Sequence, residues 1–168
     1  LNHWACGEGA CGSYESVHEQ NTYCENVNEK LMLNGFITVF NCGQWPASQD
    51  HMSFKAYTDT LHRTMNKATG DGLNGHNMLW VQTNPQPWRQ DHWPIDFKDW
   101  RTLTRLQLFN DYTDIMMTKR NLSVIYSFRP LIPLIDTGCD SSHYTEFNAQ
   151  MPLFQQLLNY IVKHNVSS

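Results

Sequence analysis

From Phe36 onward the apolar positions of this chain fall in short blocks whose period switches repeatedly between that of a strand and that of a helix. Phe36-Ile37-Thr38-Val39-Phe40 is an apolar, β-branched run of the kind that forms a buried strand, and Asn41-Cys42-Gly43-Gln44-Trp45-Pro46 turns the chain at its end. Ser53 is placed to cap a helix that reaches about Lys67, with Phe54, Tyr57, Leu61 and Met65 on one face. Gly70, Gly72 and Gly75 punctuate the loop that follows. Asn77 to Thr83 predicts a second strand, stopped by Asn84-Pro85-Gln86-Pro87. A loop rich in Trp leads into a long helix from Asp99 to Lys119, where Leu103, Leu106, Phe109, Ile115 and Met116 form most of an apolar stripe. Leu122 to Phe128 is the third strand. The last helix starts near Glu146 and carries Phe147, Met151, Phe154, Leu157, Leu158 and Ile161.

Strand and helix alternating three times predicts parallel strands covered by helices on both faces, an α/β three-layer domain. The first 35 residues are rich in Gly, Cys, Asn and Glu and lack periodicity until Val27 to Leu33, so they read as loop. The organisation expected is therefore an N-terminal segment over residues 1–35 and an α/β domain over residues 36–168. In such sheets ligands bind at the carboxyl ends of the strands. Asn41 and Gly43, Gln82 and Asn84, and Asp140 and His143 all follow predicted strands, and these residues are expected on one rim.

Composition narrows the partners. The length, 168 residues, fits one domain with a sizeable core, and six Trp, seven Tyr and eight Phe favour a packed fold whose surface includes an aromatic-lined cleft. A net charge of −4, with both signs interspersed, offers no polybasic face, which argues against nucleic acid. No apolar run approaches the roughly 20 residues of a membrane span. Leu1 opens with neither Met nor a basic-then-apolar leader, so the chain reads as processed or cut. Five Cys (Cys6, Cys11, Cys24, Cys42, Cys139) allow at most two internal bridges. With acceptor triplets at Asn121-Leu122-Ser123 and Asn165-Val166-Ser167, they favour a secreted or lumenal protein with sugars on Asn121 and Asn165. Cys6, Cys11, Cys24 and His18 match no usual paired zinc pattern, and neither a metal nor another cofactor is expected.

One spacing carries candidate chemistry. In Asp140-Ser141-Ser142-His143 a carboxylate stands three residues ahead of an imidazole, on the loop entering the last helix. Such a carboxylate can accept a hydrogen bond from the ring and fix its tautomer, which makes His143 a candidate general base oriented by Asp140. Trp88 and Trp93, beside the second strand, are candidates with Gln82 for contacting a ligand, because sugar rings stack on exposed aromatic faces. Asp91 and His92 are neighbours whose side chains point apart and read as surface, while Met116 and Met117 read as packing.

In order along the chain, Val39-Phe40-Asn41-Cys42-Gly43-Gln44-Trp45-Pro46, Met78-Leu79-Trp80-Val81-Gln82-Thr83-Asn84-Pro85 and Asp140-Ser141-Ser142-His143-Tyr144 resemble three segments of the PC-esterase family. That family is a branch of the SGNH/GDSL hydrolases that includes the trichome-birefringence-like polysaccharide O-acetyltransferases. A weaker echo is Asp99-Trp100-Arg101-Thr102 with Leu106 and Asn110, and together the segments cover about residues 36 to 162. The resemblance implies an SGNH-like, flavodoxin-like parallel sheet that is incomplete without upstream sequence. It implies a serine-dependent O-acyl esterase or O-acetyltransferase acting on O-acylated glycans. His143 would be the base, Asp140 its orienter, and Asn41 (side-chain amide) and Gly43 (backbone N–H) the oxyanion donors. The family's nucleophile lies in a G-D-S segment that this chain lacks, and Gly12-Ser13-Tyr14 is its nearest imitation, with no apolar strand ahead of it. Two readings stand side by side. An upstream chain or fragment supplies the serine, or the chain is a non-catalytic glycan-binding or structural component of an extracellular assembly.

Overall fold

The computed structural model describes residues 2–3, 37–44, 46–47, 53–70, 78–87, 101–137, 144 and 147–164. Four parallel strands, β1 (Asn2–His3), β2 (Thr38–Phe40), β3 (Met78–Val81) and β4 (Ser123–Ile125), form one sheet in that order. Thr38 pairs with Met78 and Leu79 with Ser123, so the strand ends are nearly level. Around the sheet lie α1 (Phe54–Gly70), α2 (Leu103–Lys119), a short α3 (Phe128–Leu131) that runs into a 3₁₀ turn (Ile132–Leu134), and α4 (Phe147–Lys163). The chain is thus of the α/β class, with helices flanking a parallel sheet.

Alternation along the strands sorts the core into two parts. Met78 and Trp80 pack with Tyr57, Leu61 and Met65 of α1 and Leu106, Phe109, Met116 and Met117 of α2. Tyr57 stacks on Phe109 at 4.2 Å between ring centroids. Leu79, with Val81 at its side, packs with Ile37, Val39, Ile125 and the Leu153, Leu157, Tyr160 and Ile161 row of α4. A side-chain period of two sends neighbours in one strand to opposite faces, and both faces of β3 are apolar because both are covered.

Helix boundaries follow local chemistry. Ser53 caps α1 as expected, its hydroxyl accepting from Ala56 N–H at 3.1 Å. The long helix begins at Leu103, later than the expected Asp99, because Thr102 is its cap and accepts from Arg105 N–H at 3.2 Å. It ends in a Schellman arrangement in which Leu122 N–H reaches Met117 O at 2.9 Å and Asn121 N–H reaches Thr118 O at 3.0 Å. Asn121 takes the left-handed conformation this closure needs, with φ of 56°.

Four expectations are corrected. The first 35 residues contain β1, a strand of two residues and too short to register as a pattern. The third strand stops at Ile125 and not at Phe128, because Ser127 and Phe128 bond to Gln82 and start α3. The stripe of α2 is turned relative to the expected one: Leu103 and Ile115 are exposed, whereas Asn110, Thr113 and Met117 are buried. Weighting apolar residues alone misses polar ones that lie on the buried face. The same weighting merges two rows on α4, where Met151, Phe154 and Leu158 are exposed while Leu157 and Ile161 of the expected stripe pack on the sheet cluster.

The strands are short, and side-chain amides continue the ladder beyond them. Asn110, 1% exposed, accepts from Thr83 N–H at 2.8 Å through Oδ1 and donates to Thr83 O at 2.9 Å through Nδ2. Gln156 of α4 does the same for Tyr126, accepting from its N–H at 2.8 Å and donating to its carbonyl at 2.9 Å. A buried peptide group left unpartnered costs about 1–3 kcal/mol, and Asn110→Ala orphans two. Asn110→Ala is therefore expected to lose about 3 kcal/mol or more in urea unfolding, and a loss under 1 kcal/mol would contradict the clamp.

Candidate functional site

All four strands are parallel, so their carboxyl ends share one edge of the sheet. Asn41 follows β2 there and reaches across to β3. Its Nδ2 donates to Val81 O at 2.7 Å and to Thr83 Oγ1 at 3.2 Å, which engages both amide hydrogens. Three residues on, Gln44 Nε2 donates to Asn84 O at 2.9 Å. Ala47 N–H closes the turn on Gly43 O at 3.1 Å, and Arg105 of α2 donates to Pro46 O at 3.4 Å while lying 5.0 Å over the Phe109 ring. Burial lowers the pKa of the Arg105 guanidinium. The loop from β2 to α1 is thus tied to β3 on one side and to α2 on the other.

Gly43 is needed for space. A Cβ built there would stand 1.8 Å from Thr83 Oγ1 and 2.9 Å from Thr83 Cβ, and Thr83 is itself 1% exposed and held by Asn110. The turn-residue argument ascribes such a glycine to a positive φ; here the reason is the close approach of the Thr83 side chain.

Gln82, expected to face a ligand, has a different task. It is 6% exposed, its Nε2 donates to Asp114 Oδ2 at 2.7 Å, and its Oε1 accepts from Phe128 N–H at 3.2 Å. Its carbonyl accepts from Ser127 Oγ at 2.7 Å and its N–H donates to Ile125 O at 3.0 Å. Gln82 joins β3, β4, α2 and the start of α3. Asp114 is left half-buried by this contact, with Oδ1 enclosed and unpartnered among the described residues. Burial raises its pKa, the Gln82 hydrogen bond lowers it, Asp111 raises it further and Arg129 lowers it, with a net upward shift.

Tyr144 adjoins His143 in sequence and is buried against Leu131, Ala149 and Leu134. Its carbonyl accepts from Gln150 Nε2 at 3.3 Å. Its hydroxyl has no partner among the described residues, and burial, helped by the charge of Asp136, pushes its ionisation above the usual phenol range. Of the expected site residues, Asn41 and Gly43 meet at Thr83, and Gln82 lies on the next peptide, turned inward. Asp140, His143, Trp88, Trp93 and Asn165 lie outside the described residues. Asn121 is exposed where α2 passes into β4, and Trp80 is core. Sequence reasoning missed Thr83 and Asp114 and noted Asn110 only as a weak echo; a signal existed for Asn110 alone, a polar residue in phase with Leu106, Phe109 and Met117.

A groove of about 390 Å³ runs along the edge of β4, between Tyr126, Ser123, Gln156 and Lys163, and among the described residues none of those expected to be catalytic or ligand-contacting lines it. Among the described residues no group of three or more His, Cys, Asp or Glu is placed to hold a metal, and no helix is long and apolar enough to cross a membrane. Compared with protein-family models, curated proteins and solved structures, the chain shows no match to any of them.

Two outcomes follow from this geometry. Gly43→Ala should lose about 1–3 kcal/mol through overpacking, and Thr83→Ala in the same chain should recover part of the loss. Strict additivity of the two in urea unfolding would contradict the contact. For Asp114, a folded pKa above the unfolded value of 3.8 means that the native state holds its proton longer than the unfolded state does. Its contribution is therefore most favourable below that value and declines as pH rises through the raised pKa. Asp114→Asn should melt higher than the wild type at pH 7, with the gap opening across that interval and flat above it; a pH-independent gap in thermal melts would refute this.

Proposed function

We propose that the chain is the later part of an SGNH-like three-layer domain of the PC-esterase type, acting in O-acyl ester hydrolysis or O-acetyl transfer on glycans. One observation carries the reading: Asn41 and Gly43, next to each other beyond β2, share the carboxyl edge of a parallel sheet with the end of β4, from which the chain runs on toward Asp140 and His143. Tyr144, anchored between α3 and α4, fixes the backbone one residue beyond His143 and lends support. In the mechanism proposed, His143 takes the proton of a serine hydroxyl as it attacks the acyl carbon, and Asp140 holds the imidazole in the required tautomer. The Gly43 N–H and the Asn41 amide stabilise the oxyanion, Asn41 by exchanging its longer bond to Thr83 Oγ1 for the substrate oxygen. His143 returns the proton to the leaving sugar alkoxide. Water or a second sugar hydroxyl then releases the acyl group, giving hydrolysis or transfer.

The serine would come from a preceding chain or fragment, since no G-D-S segment occurs in residues 1–168. Trp88 and Trp93 are proposed to stack on the glycan. Cys42 is disulfide-bonded, which supports an oxidising, secretory location with sugars on Asn121 and Asn165.

A second reading has its own support. Asn41 and Gln82 are both engaged within the protein, and no G-D-S segment occurs in residues 1–168, as expected of a non-catalytic glycan-binding or structural component. A serine-reactive fluorophosphonate probe separates the two. The full-length gene product should label, and His143→Ala should reduce labelling by about 100-fold or more, the scale of a lost general base. A folded, full-length protein that does not label is the non-catalytic component.

A further inference from the structure

β4 ends the described sheet, and its hydrogen bonds tell which of its peptide groups point outward. Gln82 N–H donates to Ile125 O, so Ile125 turns its peptide groups toward β3. These directions alternate along a strand, which sends the N–H and C=O of Val124 and Tyr126 to the opposite edge. The Gln156 carboxamide agrees with this, since it takes both groups of Tyr126, at 2.8 and 2.9 Å, as a neighbouring peptide would. Val124 stands one alternation earlier, and among the described residues nothing bonds to its N–H or its carbonyl.

The groove of about 390 Å³ lies along this edge. Gln156 closes it at the Tyr126 end. Tyr160 hydrogen-bonds Ser123, so α4 runs antiparallel to β4 and brings Lys163 to the Leu122 end. From Gln156 to Lys163 the helix rises about 10 Å, the length of three residues of extended chain. Lys163 is exposed and has no ion pair among the described residues, and no Asp or Glu lines the groove. A second copy of the chain would bring the same hollow and the same lysine to this edge, and so would match neither its shape nor its charge. A slender, extended segment with a carboxylate matches both. Its backbone supplies the donor and acceptor that Val124 lacks, and the Gln156 amide already shows how a peptide group sits there.

We infer that the groove beside β4 is a strand-addition site for an extended acidic peptide, whose backbone pairs with Val124 and whose carboxylate, about three residues from the end that abuts Gln156, meets Lys163. The inference does not rest on the catalytic reading, because none of these groups belongs to that site. The test adds the protein to a fluorescein-labelled hexapeptide of threonine and valine with aspartate at its fourth position, and reads anisotropy. Saturable binding is expected, weakened about threefold or more by asparagine in place of the aspartate, by about 0.5 M NaCl, or by Lys163→Glu in the protein. Val124→Pro removes the outward N–H at a position where an edge strand tolerates proline. It should weaken binding about tenfold or more with the Tm moved by no more than about 3 °C. A probe N-methylated along its backbone should not bind the wild type, which tests the pairing even if the proline variant fails to fold. No saturation up to about 1 mM protein would overturn the site. Equal binding of the N-methylated probe, or binding unchanged in a folded Val124→Pro, would reduce it to a carboxylate contact without strand addition. Binding indifferent to Lys163→Glu would rule out the acidic occupant, and a wild-type dimer by sedimentation that Val124→Pro makes monomeric would give the edge to a second copy instead.

Discussion

The carboxyl edge of the sheet depends on satisfying peptide groups where the strands have already ended. Strands of three or four residues leave N–H and C=O groups pointing at neighbours that no longer run alongside, and inside a protein such groups need partners. Carboxamides supply them, because one planar amide carries a donor and an acceptor spaced like a peptide. Asn110 does this for Thr83, Gln156 for Tyr126, Gln82 for Phe128 and Ser127 by way of side chain and backbone, and Asn41 ties β2 to Val81. The same bonds decide how closely Gly43 approaches Thr83 and where α3 begins. They are neutral, and the low charge content of the chain, 17%, leaves few salt bridges that could have served instead.

Burial on both faces of β3 explains why the strands were legible as continuous apolar runs and why their ends were not. Hydropathy marks Met78 to Val81 as a unit, but whether a strand extends past Ile125 depends on Gln82, more than 40 residues earlier in the chain. The phase of α2 failed for a related reason. Asn110 and Thr113 belong to the buried face because they have hydrogen bonds to make there, and a count of apolar residues gives them no weight. The cap at Ser53, a contact between near neighbours in sequence, could be read directly.

The candidate site divides along the same line. Asn41 and Gly43 stood out by their place after a predicted strand, whereas their partners in space could not, since Thr83 is some 40 residues distant and carries no local mark. Gln82 was recognised as a strand-end residue and misread in direction: period two fixes which face a residue takes, not whether its amide finds a partner inside. Asp114 carries the electrostatic cost of that partnership, held half-buried to satisfy a glutamine.

Asn121 closes α2 in a left-handed turn immediately before β4, which puts it at the amino edge of the sheet, across the full length of the strands from Asn41, Gly43 and Thr83. A sugar chain grown from that side chain would extend from the floor of the molecule. The modified end would cover the turn joining α2 to β4 without narrowing the approach to the opposite edge.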